Sequence, residues 1–113
     1  MGRNRMAMVV RRFDVFLVQL DPTVGSEIQK TRPCIIVSPD EMNRLLKTVL
    51  IAPLTSVRRN FPFRVDCQFQ GKAGQIVLDQ IRAVDKTRLV QFLGQIGEEQ
   101  RALLDTIADL FAA

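Results

Sequence analysis

The sequence predicts a mainly β domain of the α+β class, a small antiparallel sheet strongly curved into a barrel with one C-terminal helix packed on it. Three observations carry this. Short runs rich in β-branched and aromatic residues recur between proline and glycine punctuation. Those runs never alternate with helical stretches in the βαβ manner, so a parallel, doubly wound sheet is not expected. Apolar residues at helical spacing are confined to the tail, where Leu103, Leu104, Ile107, Leu110 and Phe111 recur on one face.

Residues 1–11 read as a flexible lead, and residues 12–113 as a single domain. Phe13 to Leu20 is apolar on both alternations apart from Asp14 and Gln19, which suits a strand buried on both faces. Cys34 to Ser38 is a second strand, stopped by Pro39. Asp40 to Arg44 reads as one helical turn, with Ser38 or Asp40 as its cap. Thr48 to Ala52 is a third strand ending at Pro53, which leaves Thr55 and Ser56 in the loop beyond it. Phe61 to Phe69 alternates as a strand, and Gly71 to Gly74 is a turn signal before Gln75 to Leu78. Asp79-Gln80 interrupts that run, Ile81 to Val84 resumes it, and Leu89 to Ile96 is the last extended segment. Gly97-Glu98-Glu99-Gln100 opens the helix, its acids in the first turn where they complement the helix dipole.

With 113 residues the chain is large enough for one real core, and 47% hydrophobic with 25% charged residues is the profile of a folding domain. The net charge of +4 favours a polyanionic partner, because lysines and arginines that neutralise phosphates gain affinity by releasing counterions. There is no histidine, and the two cysteines, Cys34 and Cys67, have no CxxC spacing. Zinc sites want Cys or His ligands at close spacing, so neither a metal nor another cofactor is expected. Both thiols read as small core hydrophobes in a reducing compartment. The apolar run Met6 to Val10 is too short for a signal segment, and no run approaches a membrane span. These features place the protein in the cytoplasm, away from membranes.

The stretch from Asp21 to Pro39 concentrates the polar chemistry. Asp21-Pro22 starts a turn, and Glu27, Lys30 and Arg32 follow before the apolar run entered at Pro33. Proline restricts the residue before it to extended conformations, which fixes Arg32 at the mouth of a strand. A charged loop on the shoulder of a rigid sheet is where binding and catalytic groups sit, though such a loop is also an ordinary connection.

Six segments in order carry a resemblance to the MazF/PemK family of toxin endoribonucleases from bacterial toxin-antitoxin pairs. They are Leu20-Asp21-Pro22-Thr23, Gly25-Ser26-Glu27, Thr31-Arg32-Pro33 with the strand to Ser38-Pro39, Pro53-Leu54-Thr55-Ser56, Phe61-Pro62-Phe63, and Val77-Leu78-Asp79-Gln80-Ile81-Arg82. The resemblance runs from about Arg12 to the C-terminal helix. It implies an SH3-like barrel of the CcdB/PemK/MazF type, a homodimer, and metal-independent cleavage of single-stranded RNA at short motifs. It also implies a cognate antitoxin, acidic and partly disordered, that covers the site.

Metal-free cleavage of this kind begins with attack of a ribose 2′-hydroxyl on the adjacent phosphorus, leaving 2′,3′-cyclic phosphate and 5′-hydroxyl ends. It needs a base, an acid and donors for the phosphorane oxygens. Arg32 supplies a planar fork of donors, and the family assigns the central role to the arginine of this RP motif. Thr55 matches the family's essential threonine and offers a hydroxyl to the same phosphate. Glu27 is either the general base or the group that orients Arg32. Ser26, Lys30, Ser56, Arg58, Asp79 and Gln80 are candidate substrate-binding residues, with Arg59 beside them as a further phosphate positioner. The plainer alternatives are turn hydrogen bonds for the serines, solvated charge for the cations and a structural network for Asp79 and Gln80.

One departure separates the branches. PemK-type members carry an arginine two residues before the aspartate of the DQ motif, where this chain has Val77, so the resemblance is to the MazF branch. Two other readings share the fold. A CcdB-type gyrase poison acts through the end of its C-terminal helix without catalysis, but this chain has no Trp and keeps the RP and Thr55 elements. A barrel that binds RNA or antitoxin without cutting is the other.

Overall fold

The computed structural model describes residues 9–20 and 30–112. Seven strands form one antiparallel sheet: β1 (Asp14–Gln19), β2 (Thr31–Ile36), β3 (Thr48–Thr55), β4 (Arg64–Phe69), β5 (Lys72–Val77), β6 (Arg82–Asp85) and β7 (Leu89–Gln95). A short helix α1 (Asp40–Leu45) links β2 to β3, and α2 (Gln100–Phe111) ends the chain. The strands run in the order β4-β5-β3-β2-β1-β7, with β6 paired to β3, and the sheet curls into a half-barrel. The predicted class, mainly β with a C-terminal helix, is the one observed. Among the described residues no helix is long and apolar enough to cross a membrane.

β1 and the second half of β2, Cys34 to Ile36, are covered on both faces, as their apolar runs predict. Because side chains alternate across a strand, Val15, Ile35 and Val37 enter one core with Ile76, Leu78 and Leu103. Phe16, Val18, Cys34 and Ile36 enter a second core with Val49, Ile51 and Val84. Val10 is buried in that second core, while residues 1–8 of the predicted lead lie outside the described residues. α2 lies on the first face through Leu103, which is fully buried, and Ile107. A Leu103→Ala change in such a setting costs about 2–5 kcal/mol. Leu110 and Phe111 are exposed, so only the first turns of the apolar stripe meet the sheet.

Several boundaries differ from the sequence expectation. The strand expected from Phe61 begins only at Arg64, with the Phe61 and Phe63 rings stacked on each other before it. β2 begins at Thr31 rather than Cys34, with Arg32 opposite Val18 and Pro33 opposite Leu17. β3 continues through Pro53 to Thr55. On one edge it pairs with β6 as far as Ile51 and with β5 from Leu54, so Pro53 lies between two ladders, where its missing N–H breaks neither. The β4-β5 turn is the two-residue Gln70-Gly71, both at positive φ (52° and 78°), and Lys72 already pairs with Phe69. Glu98 and Glu99 precede the helix instead of forming its first turn, and the Glu99 carboxylate accepts the Gln68 N–H at 2.9 Å.

Between β2 and α1 a buried polar knot fixes the chain. The Ser38 hydroxyl accepts the Leu50 N–H at 3.0 Å and meets the Asn43 side chain, whose amide donates to the Ser38 carbonyl at 3.0 Å. Ser38 and Asn43 are almost fully buried, and each polar atom has a partner, the condition under which such burial is tolerated.

Candidate active site

Arg32 and Thr55 come from adjacent strands. Arg32 is the second residue of β2 and is exposed; one residue further on the chain turns into the core. Thr55 is the last residue of β3 and sits opposite Gln75 of β5. That pairing needs a glycine next door, since a Cβ at Gly74 would lie 2.5 Å from the Thr55 carbonyl oxygen.

Arg32 and Thr55 together line two adjoining concavities. The larger, of about 490 Å³, has Ser56 and Lys72 at its polar rim and Leu17, Leu54, Phe69 and Leu93 beneath. The smaller, of about 240 Å³, is walled by Arg32, Arg59, Arg64, Thr55 and Gln80. The Thr55 oxygen accepts the Val57 N–H at 3.1 Å, which uses a lone pair and leaves the hydroxyl proton free to donate. Three arginines lining one small concavity favour an anion there.

The thiols near this surface are not nucleophiles at neutral pH. Burial pushes Cys34 up to about 12 against the opposing pull of Arg32 and Arg82. Cys67 lines the larger concavity and rises to about 11, first by burial and then through the nearby Glu99 and Asp66 carboxylates. A thiol so poor in thiolate is a packing group. Among the described residues no cluster of His, Cys, Asp and Glu is arranged to hold a metal ion.

The remaining candidates divide by place. Ser56 stands on the larger concavity and Gln80 on the smaller. Lys30 is exposed immediately before β2. Arg58 lines neither concavity but a shallow depression with Glu99, and its ion pair with Asp66 at 3.6 Å is solvated on both sides. Asp79 accepts from Arg64 Nε at 3.2 Å. Ser26 and Glu27 lie outside the described residues. Three residues with a part in this surface are not among the sequence candidates: Arg64, Lys72 and Gln75. Gln75, almost fully buried, accepts the Arg59 N–H at 2.9 Å and donates to the Arg59 carbonyl at 3.0 Å, so it holds the loop that presents Arg59. A glutamine inside an otherwise apolar run was the available signal.

Fold and surface together define a small half-barrel with a cationic, hydroxyl-bearing cleft. The profile of the family described as PemK-like, MazF-like toxin of type II toxin-antitoxin systems matches residues 11–111, and the chain belongs to that family. It is 32% identical over 108 residues to the endoribonuclease MazF of Staphylococcus epidermidis, covering 90% of each protein. It is 30% identical over 104 residues to the endoribonuclease EndoA of Bacillus subtilis (strain 168), covering 87% of this chain and 90% of that one. In fold it is similar to MazF in a MazE-MazF structure from Deinococcus radiodurans, with a TM-score of 0.74 at 23% identity over 91% of this chain and 93% of that one. A mycobacterial endoribonuclease solved in complex with its cognate antitoxin gives a TM-score of 0.71 at 23% identity, over 91% of this chain and 97% of the other.

Proposed function

We infer that this protein is the toxin of a type II toxin-antitoxin pair and acts as an endoribonuclease on single-stranded RNA. One observation carries the reading: in a chain of this family, Arg32 and a Thr55 whose hydroxyl keeps a free proton line the same concavities. Arg32 binds the non-bridging oxygens of the scissile phosphate, and Thr55 donates to the same group. Their contacts strengthen as the phosphorane gathers charge, which lowers the barrier. The 2′-oxygen attacks phosphorus while its proton passes to a base, for which Glu27 is the candidate. The P–O5′ bond breaks and the leaving oxygen is protonated, giving 2′,3′-cyclic phosphate and 5′-hydroxyl ends. No step calls for a metal. Ser56, Gln80 and the cations around the cleft hold the flanking nucleotides.

The partners follow from the same surface. A cationic cleft is matched by an acidic, partly disordered antitoxin segment that orders on contact, and relatives of this fold are solved with their antitoxins. A homodimer in the cytoplasm, as the family resemblance implies, would place two such clefts along one RNA-sized surface. The test is incubation of the purified protein, in EDTA, with a long single-stranded RNA, mapping the new 5′ ends, with Arg32→Ala alongside. Discrete cuts with 5′-hydroxyl ends that vanish in the variant are expected. Growth arrest without cleavage would reject the reading and direct the search to a protein target such as gyrase.

A further inference from the structure

We propose that Arg64 contacts the RNA directly, its guanidinium clamping a phosphodiester in the smaller concavity, and that Asp79 acts on the substrate only by positioning Arg64. The proposal rests on the endoribonuclease reading and adds to it the residue that holds the strand beside the scissile phosphate.

Arg64 is the first residue of β4, and only 12% of its side chain is exposed. It nevertheless lines the concavity together with Arg32, Thr55, Arg59 and Gln80. Two contacts fix it there. Nε donates to Asp79 Oδ1 at 3.2 Å, and the guanidinium carbon lies 5.3 Å from the centroid of the Phe61 ring, itself stacked on Phe63 at 5.1 Å. A bond through Nε leaves the two terminal NH2 groups to face a ligand, the geometry suited to bidentate capture of a phosphate.

Charge supports the same conclusion. Three arginines, Arg32, Arg59 and Arg64, line the concavity, and among the described residues one carboxylate, Asp79, pairs with one of them, Arg64. Cations gathered along one concavity repel one another unless an anion enters, and a largely buried cation such as Arg64 is screened less than a surface one. Arg58 is the contrast: its side chain is 58% exposed and its partner Asp66 68%, a solvated pair of little consequence. Asp79 itself is unsuited to touching RNA, because a carboxylate repels phosphate and its oxygen already receives Arg64.

The test uses the full chain and an RNA oligonucleotide bearing the mapped cut site, with a 2′-deoxy substitution at the attacking position so that it binds without being cut. Dissociation constants are measured over a range of salt for the parent, Arg64→Gln, Arg64→Lys, Asp79→Asn and the Arg64→Gln/Asp79→Asn double variant. Arg64→Gln is expected to weaken binding about tenfold and to lower the salt slope by about 0.7, the loss of one phosphate contact on a single strand. Arg64→Lys should keep the slope and lose part of the affinity. Asp79→Asn should weaken binding less, with no further loss in the double variant. On cleavable RNA the deficit should fall on KM more than on kcat. An unchanged affinity and slope in Arg64→Gln overturns the proposal, and additive losses in the double variant overturn the positioning role of Asp79. If Arg64→Gln does not fold, the side-chain Nε–H resonance of Arg64 in the parent decides: it should shift on titration with the oligonucleotide, and a signal that stays still overturns the contact. A parent protein that neither cuts nor binds RNA defeats the endoribonuclease reading itself, an outcome distinct from a parent that cuts and an Arg64→Gln variant that binds as well.

Discussion

Gln75 grips Arg59 by both of its backbone groups, accepting its N–H at 2.9 Å and donating to its carbonyl at 3.0 Å, while the same amide nitrogen donates to Asp66 at 2.9 Å. A buried side chain thus does for the 56–63 loop what a ladder does for a strand. Gln75→Ala should lower stability by about 1–3 kcal/mol, the cost of leaving buried polar groups unpaired. Limited trypsin digestion should then cut first after Arg58 or Arg59. An unaltered digestion pattern would show that the loop holds itself.

Gly74→Ala tests the contact between β5 and β3. The new methyl would meet the Thr55 carbonyl, a backbone atom that yields only if the strands part. Stability should fall by about 1–3 kcal/mol, as for other overpacked sites. Cleavage should fall by more than the fraction unfolded explains, because Thr55 moves. Urea denaturation and single-turnover cleavage of the same preparation separate the two effects.

Thr55 can be divided by chemistry. Thr55→Ser keeps a hydroxyl that can both accept from Val57 and donate to phosphate, and should retain most activity. Thr55→Val loses both contacts, and its cleavage rate should drop by about 10²–10³, the usual effect of removing one donor from a developing oxyanion. Equal rates in the two variants would remove Thr55 from the chemistry.

The thiols predict a particular pH dependence. Folding raises Cys67 from its ordinary 9.0 to about 11 and Cys34 to about 12. Below pH 9 both are protonated in the folded and unfolded chains alike, and their contribution is fully present. Above it the unfolded chain releases protons that the folded chain keeps, so stability falls as pH rises towards 11. The slope is at most about 1.4 kcal/mol per pH unit per thiol. Urea midpoints at pH 8, 9 and 10 should show the decline, and Cys34→Ala should flatten it. A Cys34→Ala slope identical to the parent's would mean that other groups cause the alkaline loss.

What could be read from the chain follows from the range of each interaction. Strand cores such as Phe13 to Leu20 and Cys34 to Val37 announce themselves because periodicity and β-branching are local. Pro53 was legible as a strand end only if β3 has one partner on that edge; it has two, and no local feature reports that. Gln70 at positive φ is equally silent, since a non-glycine residue carries no mark of it. Within the site, Arg32, Thr55, Ser56, Asp79 and Gln80 stand in recognisable motifs. Arg64 does not, because its importance comes from Asp79, fifteen residues away, and Gln75 does not, because Arg59 is sixteen residues away.

β3 belongs to three ladders at once, with β6, with β2 and, past Pro53, with β5. Its amide protons can exchange with solvent only when several ladders open together, which ties them to the rarest openings of the molecule. The loop that presents Arg59 is held by Gln75, the Val57 N–H bond to Thr55 and the solvated Arg58–Asp66 pair, few enough ties for it to open by itself. Ile51, paired on both edges, is therefore tied to the slow timescale of global unfolding, while Thr55, paired with Gln75 alone at the strand's end, and Arg59 lie nearer the fast one. Substitutions in the loop beyond Val57, whose N–H the Thr55 hydroxyl accepts, can therefore change how Arg59 is presented while that bond stays in place.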